Sequence, residues 1–337
     1  MFNFEIDDKN LYILPKENEL KFINSKKTKT MLYHKKIINL NNYEKNLYRY
    51  TFKDQINKGG SSIIYTAIDN ITKTKVIIKE LQSDNNSKFF REINILDLCR
   101  TLPNIIKLID FFEKNGKFYL VFPFIDTPST RNILYKFNST DLILFMKKCL
   151  ETLQNIHKIG IIHRDIKPSN ILVKSATEIN IIDFGISDFY LPFRKFSNKI
   201  GTKNFRSPEQ IIKIKGFDYK IDIWAIGIIF AEAIFKKFPF IKPEEDDIII
   251  KKIAEIAGKT KFLNFLEKYN INENFEFINS LDEMSLIDKL FETSKIDEKF
   301  NLIELKKLLD GLLEIDPEKR LTAKEALELE IFNNSDI

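Results

Sequence analysis

The chain has 337 residues, 44% of them hydrophobic, with 53 Lys and Arg against 48 Asp and Glu for a net charge of +5. That supplies core for one large or two ordinary domains, and a charge excess that argues only weakly for an anionic partner. The longest apolar run, Ile223 to Ala231, is far short of a membrane span, and the charged residues among the first twenty argue against a secretory leader. The two cysteines, Cys99 and Cys149, each sit in an apolar helical pattern without a Cys or His at metal spacing, so they are expected as core thiols in a reducing compartment.

Residues 1–49 show no clear period and include the basic run KKTKTMLYHKK, which suits an N-terminal extension that is flexible or bound to a partner. From Tyr50 the pattern turns to alternating and β-branched runs, YTFKDQI, SIIYTAI, KVIIKEL and KFYLVFPFI, with one helical segment, KFFREINILDLCR, among them. A small sheet carrying a single helix is predicted. After Pro123 helical periods dominate in DLILFMKKCLETLQNIHKIG, IDIWAIGIIFAEAIF and LIELKKLLDGLLEID, interrupted by the short strands NILV and INIID. Two lobes result, joined by a stretch over 123–127, and the cleft between such lobes is a natural ligand site.

The chemistry-bearing residues come in a fixed order. Lys79 ends VIIK, Glu92 sits in the helical segment, HRDIKPSN spans His163 to Asn170, DFG spans Asp183 to Gly185, and SPE spans Ser207 to Glu209. Alone, each has an ordinary structural reading: a turn aspartate, a solvated lysine, a surface glutamate. Together and in this order, over 50–334, they resemble the eukaryotic protein kinases. The resemblance implies an α+β bilobal fold, with an N-lobe over 50–122, a hinge over 123–127 and a C-lobe over 128–334.

It also implies roles. Phosphoryl transfer from ATP gathers negative charge on the moving group, so catalysis is mostly positioning and electrostatics. By resemblance, Asp165 orients the substrate hydroxyl and takes its proton, and Lys167 neutralises charge on the γ-phosphate. Asn170 and Asp183 hold Mg2+, Lys79 holds the α- and β-phosphates, and Glu92 pairs with Lys79. Lys167 and Thr202, in GTKNFRSPE, follow the serine/threonine pattern. Asp222 resembles the buried brace of the catalytic loop, and Arg320 the partner of Glu209. Arg164 is placed to receive an activation-segment phosphate, on Ser187, Ser197 or Thr202, or an acidic side chain in its stead.

The stretch INKGGSSIIY departs from the Gly-x-Gly-x-x-Gly phosphate loop. The nucleotide-binding residues expected here are Asn57, Gly59, Gly60, Ser61, Ser62 and Ile64. Asn57 and Ser62 replace the first and third glycines, with Asn57 expected to tolerate a left-handed backbone and Ser62 to keep a small hydroxyl near the phosphates. An inactive scaffold is the alternative from another class. Retention of Lys79, Asp165, Asn170 and Asp183 argues for the enzyme.

Three further segments, FPFIDTPSTRNIL, GTKNFRSPEQII and FPFIKPEEDDIIIKKIAEIAG, resemble the DDK family of replication-initiating kinases, as does Ser62. That resemblance implies a nuclear serine/threonine kinase acting on the MCM replicative helicase at sites followed by acidic residues, read by Lys199. It also implies an activating Dbf-type subunit, and no direct contact with nucleic acid or membrane. The family's usual large insertions are reduced, with 269–299 expected as a remnant. A casein-kinase-two-like or cyclin-dependent-like enzyme, cytoplasmic if not nuclear, is the runner-up, although the Glu92 helix lacks a PSTAIRE sequence.

Overall fold

A computed structural model describes residues 4–7, 12–15, 49–60, 62–82, 86–190, 200–214 and 218–333. The chain divides into two compact units. One comprises residues up to 126 together with 182–187, and the other comprises 127–181 and 188–337. The division between 126 and 127 falls within the expected hinge. Unlike the predicted lobes, however, the DFG segment groups with the first unit. The reason is local: Asp183 and Gly185 bond to Lys79 and Arg91 of that unit. Of the expected extension, Phe4–Asp7 (β1) pairs antiparallel with Tyr12–Pro15 (β2), Arg49 pairs with Asp69 at 2.7 Å, and the rest, including Leu11, lies outside the described residues.

The first unit is built on a five-stranded antiparallel sheet, in the order β3 (Tyr50–Lys58), β4 (Ser62–Asp69), β5 (Lys75–Leu81), β7 (Lys117–Pro123), β6 (Asp110–Lys114). The sequence reading omitted β6. Its hairpin with β7 turns on Asn115 and Gly116, both at positive φ (53° and 75°), the demand of a type I′ turn that Asn-Gly meets without strain. Period-2 alternation sorts the side chains to two faces. Val76 and Ile78 of β5 and Tyr119 and Val121 of β7 join Tyr50 and Phe112 in one cluster. On the opposite face Phe118, Leu120 and Phe122 meet helix α1 (Asn86–Leu98) through Phe89 and Ile93, and the rings of Phe89 and Phe118 stack with centroids 4.2 Å apart. Lys79 lies between Ile64 and Leu120 in register, and so belongs to the helix-bearing face.

The second unit is mostly helical. In chain order it contains α2 (Thr130–Lys136), α3 (Ser139–Lys158), α4 (Pro208–Ile211), α5 (Lys220–Phe235), α6 (Asp246–Ala257), α7 (Lys259–Lys268), α8 (Leu286–Thr293), α9 (Leu302–Leu312) and α10 (Ala323–Leu327). Two small antiparallel pairs complete it: β8 (Ile161–Ile162) with β11 (Asp188–Phe189), and β9 (Ile171–Val173) with β10 (Ile179–Ile181). Helix α5 is largely apolar, interrupted by Asp222 and Glu232, and buried throughout after Lys220, as a central core helix must be. The stretch 269–299, expected as a leftover insertion, instead feeds the core: Phe275, Leu281, Ile287 and Leu290 are buried, and Phe275 packs on Phe262. Among the described residues no helix is long and apolar enough to cross a membrane.

One ion pair ties three parts of this unit together. Arg320 and Glu209 are 0% and 1% exposed and bonded fork to fork at 2.8 and 2.9 Å. The remaining donors of Arg320 reach the carbonyls of Glu314, Lys220 and Ile315, so all five N–H groups have an acceptor. Arg320→Met leaves the Glu209 carboxylate buried without its cation, and is expected to cost about 3–5 kcal/mol, read as a lowered denaturation midpoint. A midpoint within error of wild type would show that the pair is energetically idle.

Candidate active site

In the first unit, the buried stripe of α1 runs through Phe89, Glu92, Ile93 and Leu96, the i, i+3, i+4, i+7 pattern of a core-facing helix. Glu92 therefore holds a core position with a carboxylate, which is tenable only with a partner. Lys79, on the sheet face beneath, supplies it: Nζ lies 2.7 Å from Glu92 Oε1 and 2.7 Å from Asp183 Oδ1. Burial opposes the lysine's charge, but the two carboxylates outweigh it and hold the ammonium's pKa above the usual value. Burial also pushes the Glu92 carboxyl upward, with Lys79 pulling it back in part.

The glycine-poor loop is a tight hairpin. β3 continues to Lys58, and Gly59 N donates to Ser62 O at 2.9 Å to close it. Asn57, expected in a left-handed conformation, is instead an extended strand residue paired with Ile64. The pairing of β3 with β4 runs through that position, and the turn falls on the residues after it. Neither Gly59 nor Gly60 takes a positive φ. Gly60 has open space around its Cα, Ser62 and Ile64 are partly buried in β4, and Ser61 lies outside the described residues.

The HRDIKPSN segment belongs to the second unit. Asp165 Oδ1 accepts hydrogen bonds from Thr202 N (3.0 Å) and Thr202 Oγ1 (2.7 Å). Lys167 Nζ lies 2.7 Å from Asp165 Oδ2 and donates to Thr202 Oγ1 at 2.9 Å. Asn170 Nδ2 donates to the Asp165 carbonyl and to Oδ2, at 2.9 and 3.0 Å. The structure thus gathers Asp165, Lys167, Asn170 and Thr202 into one network, with a carboxylate aimed by four donors.

Beneath the network Asp222, buried at the start of α5, accepts from His163 N and Arg164 N at 2.9 Å each, and lies 2.9 Å from His157 Nε2. Burial alone would raise the Asp222 carboxyl, but His157 and the His163 N–H outweigh it and lower it. Sequence reasoning had Asp222 as this brace but missed His157, whose place in the inward stripe of α3 was the available signal. It also missed Asp188, 3.3 Å from the Arg164 guanidinium. The predicted substrate residue Lys199 lies outside the described residues. Of its neighbours, Arg206 donates twice to Gly201 O, and Lys203 lies 3.6–3.7 Å from Asp246 and Glu245.

Residues 50–332 match the protein kinase domain family. The chain belongs to that family. It is also 31% identical over 301 residues to a Dictyostelium discoideum protein described as "Probable serine/threonine-protein kinase", an alignment covering 86% of this chain and 48% of that one. The chain thus spans about half the length of this curated relative. A protein kinase domain works with ATP and a divalent metal, typically Mg2+, a hard cation that takes oxygen ligands. In the first unit Asp183 offers a carboxylate 44% exposed; in the second, the amide nitrogen of Asn170 is committed to Asp165. Among the described residues no group of three or more His, Cys, Asp or Glu is arranged for a tighter metal.

Gly201 joins the activation segment to the catalytic loop at backbone distance. Its φ is +89°, and a Cβ there would lie 2.5 Å from Arg164 O and 3.9 Å from Asp165 Oδ1. Gly201→Ala is expected to lower kcat at least about ten-fold, because the clash moves either Thr202 or the turn that carries Asp165. Steady-state phosphotransfer assays check this, and a wild-type kcat would show that the contact does not govern the network.

Proposed function

We propose that the chain is an ATP-dependent serine/threonine protein kinase of the DDK kind. Its substrate would be the MCM replicative helicase at serines and threonines followed by acidic residues, in the nucleus, with a Dbf-type activating subunit. The observation that carries the hydroxyl-directed part is the Asp165–Lys167–Thr202 network. Asp165 orients the incoming hydroxyl and takes its proton, and Lys167 stands beside it to meet charge developing on the transferred group. Lys79, fixed by Glu92, holds the nucleotide's α- and β-phosphates. Asp183 and the Asn170 carbonyl oxygen hold Mg2+, which neutralises phosphate charge when bound. The relative's description as a serine/threonine kinase supports the same class. The narrower DDK assignment is supported by the segments around Phe122, Gly201 and Phe238, by Ser62, and by the basic residues of SNKIGTKNFR.

Asp165→Asn is expected to reduce phosphate transfer from labelled ATP about 10²–10⁴-fold, with the protein still folded. Undiminished labelling would refute the enzyme reading. The substrate preference is tested separately with peptides bearing Asp, phosphoserine, Ala or Lys after the target serine. Lys203 is already shared with Glu245 and Asp246, so Lys199 carries the discrimination, worth about 1 kcal/mol or roughly five-fold in kcat/KM. Lys199→Glu abolishes that preference. Equal rates for Ala and Asp in the wild type would remove the acidic-context reading and leave the kinase intact.

A further inference from the structure

Helix α2 turns Thr130 and Leu134 into the core, so the next residue in each case, Arg131 and Tyr135, lies toward the outer surface. Tyr135 is 63% exposed, more than any other aromatic ring among the described residues. Arg131 is held by Glu232 of α5 at 3.1 Å and remains 39% exposed. The chain leaving α5 brings Lys236, Lys237 and Phe238 to the same place. The ring of Phe238 lies 6.2 Å from that of Tyr135, and Lys236 Nζ stands 5.8 Å over the Tyr135 ring. Two aromatic rings are thus gathered with Arg131, Lys136, Lys236 and Lys237.

The needs of the fold explain only part of this patch. Lys236 has φ +51° at the C-cap of α5, a left-handed position where glycine is usual. Its ammonium donates to the carbonyls of Leu134 and Phe137 at 3.0 and 3.3 Å and so closes the last turn of α2. Arg131 answers the buried Glu232. Neither role calls for an exposed tyrosine. Neither accounts for Lys136 and Lys237, both exposed and in no ion pair among the described residues. The neighbouring carboxylates are already engaged: Glu232 is fully buried and also accepts from Phe240 N, and Asp141 caps its own helix through Asn138 N. Positive charge therefore surrounds an apolar centre without compensation. Partial burial also pushes the Lys236 ammonium's pKa down, a cost that an incoming anion relieves.

We propose that this patch is a docking site for acidic segments of protein substrates, taking a stretch in which Asp or Glu residues flank an apolar side chain. The apolar residue covers Tyr135 and Phe238 and excludes water, while the carboxylates meet Lys136, Lys236 and Lys237 at the rim. Aromatic anchors ringed by charge are the groups on which such interfaces depend, and charge complementarity selects an acidic partner. A single-stranded nucleic acid stacks successive bases along a continuous cationic track. Here the two rings are inclined at 58° to one another and the cations encircle them, which suits a side chain better than a base. None of these residues belongs to the Asp165 network, so docking retains the substrate without entering the transfer step. As a substrate site the patch rests on the kinase reading, and as a binding site it is measured without ATP.

The test uses the full chain and a fluorescently labelled peptide of Asp and Glu with two central leucines, followed by anisotropy in the absence of nucleotide. Tyr135→Ser, and Lys136→Glu with Lys237→Glu, are each expected to weaken binding about ten-fold or more, as is replacement of the two leucines by glycine. The substituted side chains are all exposed, so the variants keep the fold. The catalytic consequence is read with a serine substrate that carries the acidic segment on a flexible tail. Wild type is expected to show a KM about five-fold below that for the same substrate without the tail, at unchanged kcat. Both variants lose that difference and keep the wild-type rate on the tailless peptide. Undiminished binding in the variants, equal affinity after leucine replacement, or a tail that leaves KM unchanged each overturns the proposal. So does an oligothymidylate of equal charge that binds more tightly and displaces the peptide. A wild type that binds the peptide yet transfers no phosphate to any substrate would instead sink the kinase reading and leave the acidic-segment site standing.

Discussion

A carboxylate removed from water must be met by a cation or by hydrogen-bond donors, and that constraint organises both units of this chain. Asp222 is the central case. It is buried at the head of a largely apolar helix, and its two oxygens are answered by the backbone N–H groups of His163 and Arg164 and by His157. The core thereby fixes the main chain from which Asp165 projects. Glu232, farther along the same helix, is met by Arg131 and by Phe240 N, and Glu209 by Arg320. Each buried acid joins segments far apart in sequence, a specification that apolar packing, being non-directional, cannot supply.

The same logic operates in the first unit with a different outcome. Glu92 interrupts an apolar stripe, and the stripe faces the sheet face that carries Lys79. The hydrophobic pattern therefore brings the ion pair together, and the pair then fixes the rotation of the helix about its axis. The aromatic stack of Phe89 on Phe118 provides a clamp on this helix from within the chain.

The legible parts of the site were those where a side chain's chemistry contradicts its surroundings. Lys79 ends a β-branched run, Glu92 sits at a core position, and Asp165, Asn170 and Asp183 recur in a family's order, so each announced itself. Asp188 did not, because its meaning depends on a pairing of two-residue strands that neither periodicity nor propensity reveals. β6 was missed although its Asn-Gly turn stood in plain view, since DFFEK alone has too weak an alternation to stand out. Asn57 was misjudged for a different reason. The family pattern implied a glycine-like backbone, whereas the pairing of Asn57 with Ile64 and of Lys58 with Ile63, beyond the last register shift of β3 on β4, keeps it extended.

Burial divides the work between the two carboxylates on Lys79. One ammonium between two carboxylates leaves the trio with a net charge of −1. Glu92 is 2% exposed and Asp183 44% exposed. The interaction with Glu92 is shielded from solvent and its geometry is fixed by the helix, so it serves to hold the lysine. The excess negative charge falls on the side where Asp183 meets water, and there it favours the approach of a cation. Glu92 thus anchors Lys79, while Asp183, equally close to it, remains exposed to solvent. The distinction comes from the position of each residue in the fold, since the two groups are chemically alike.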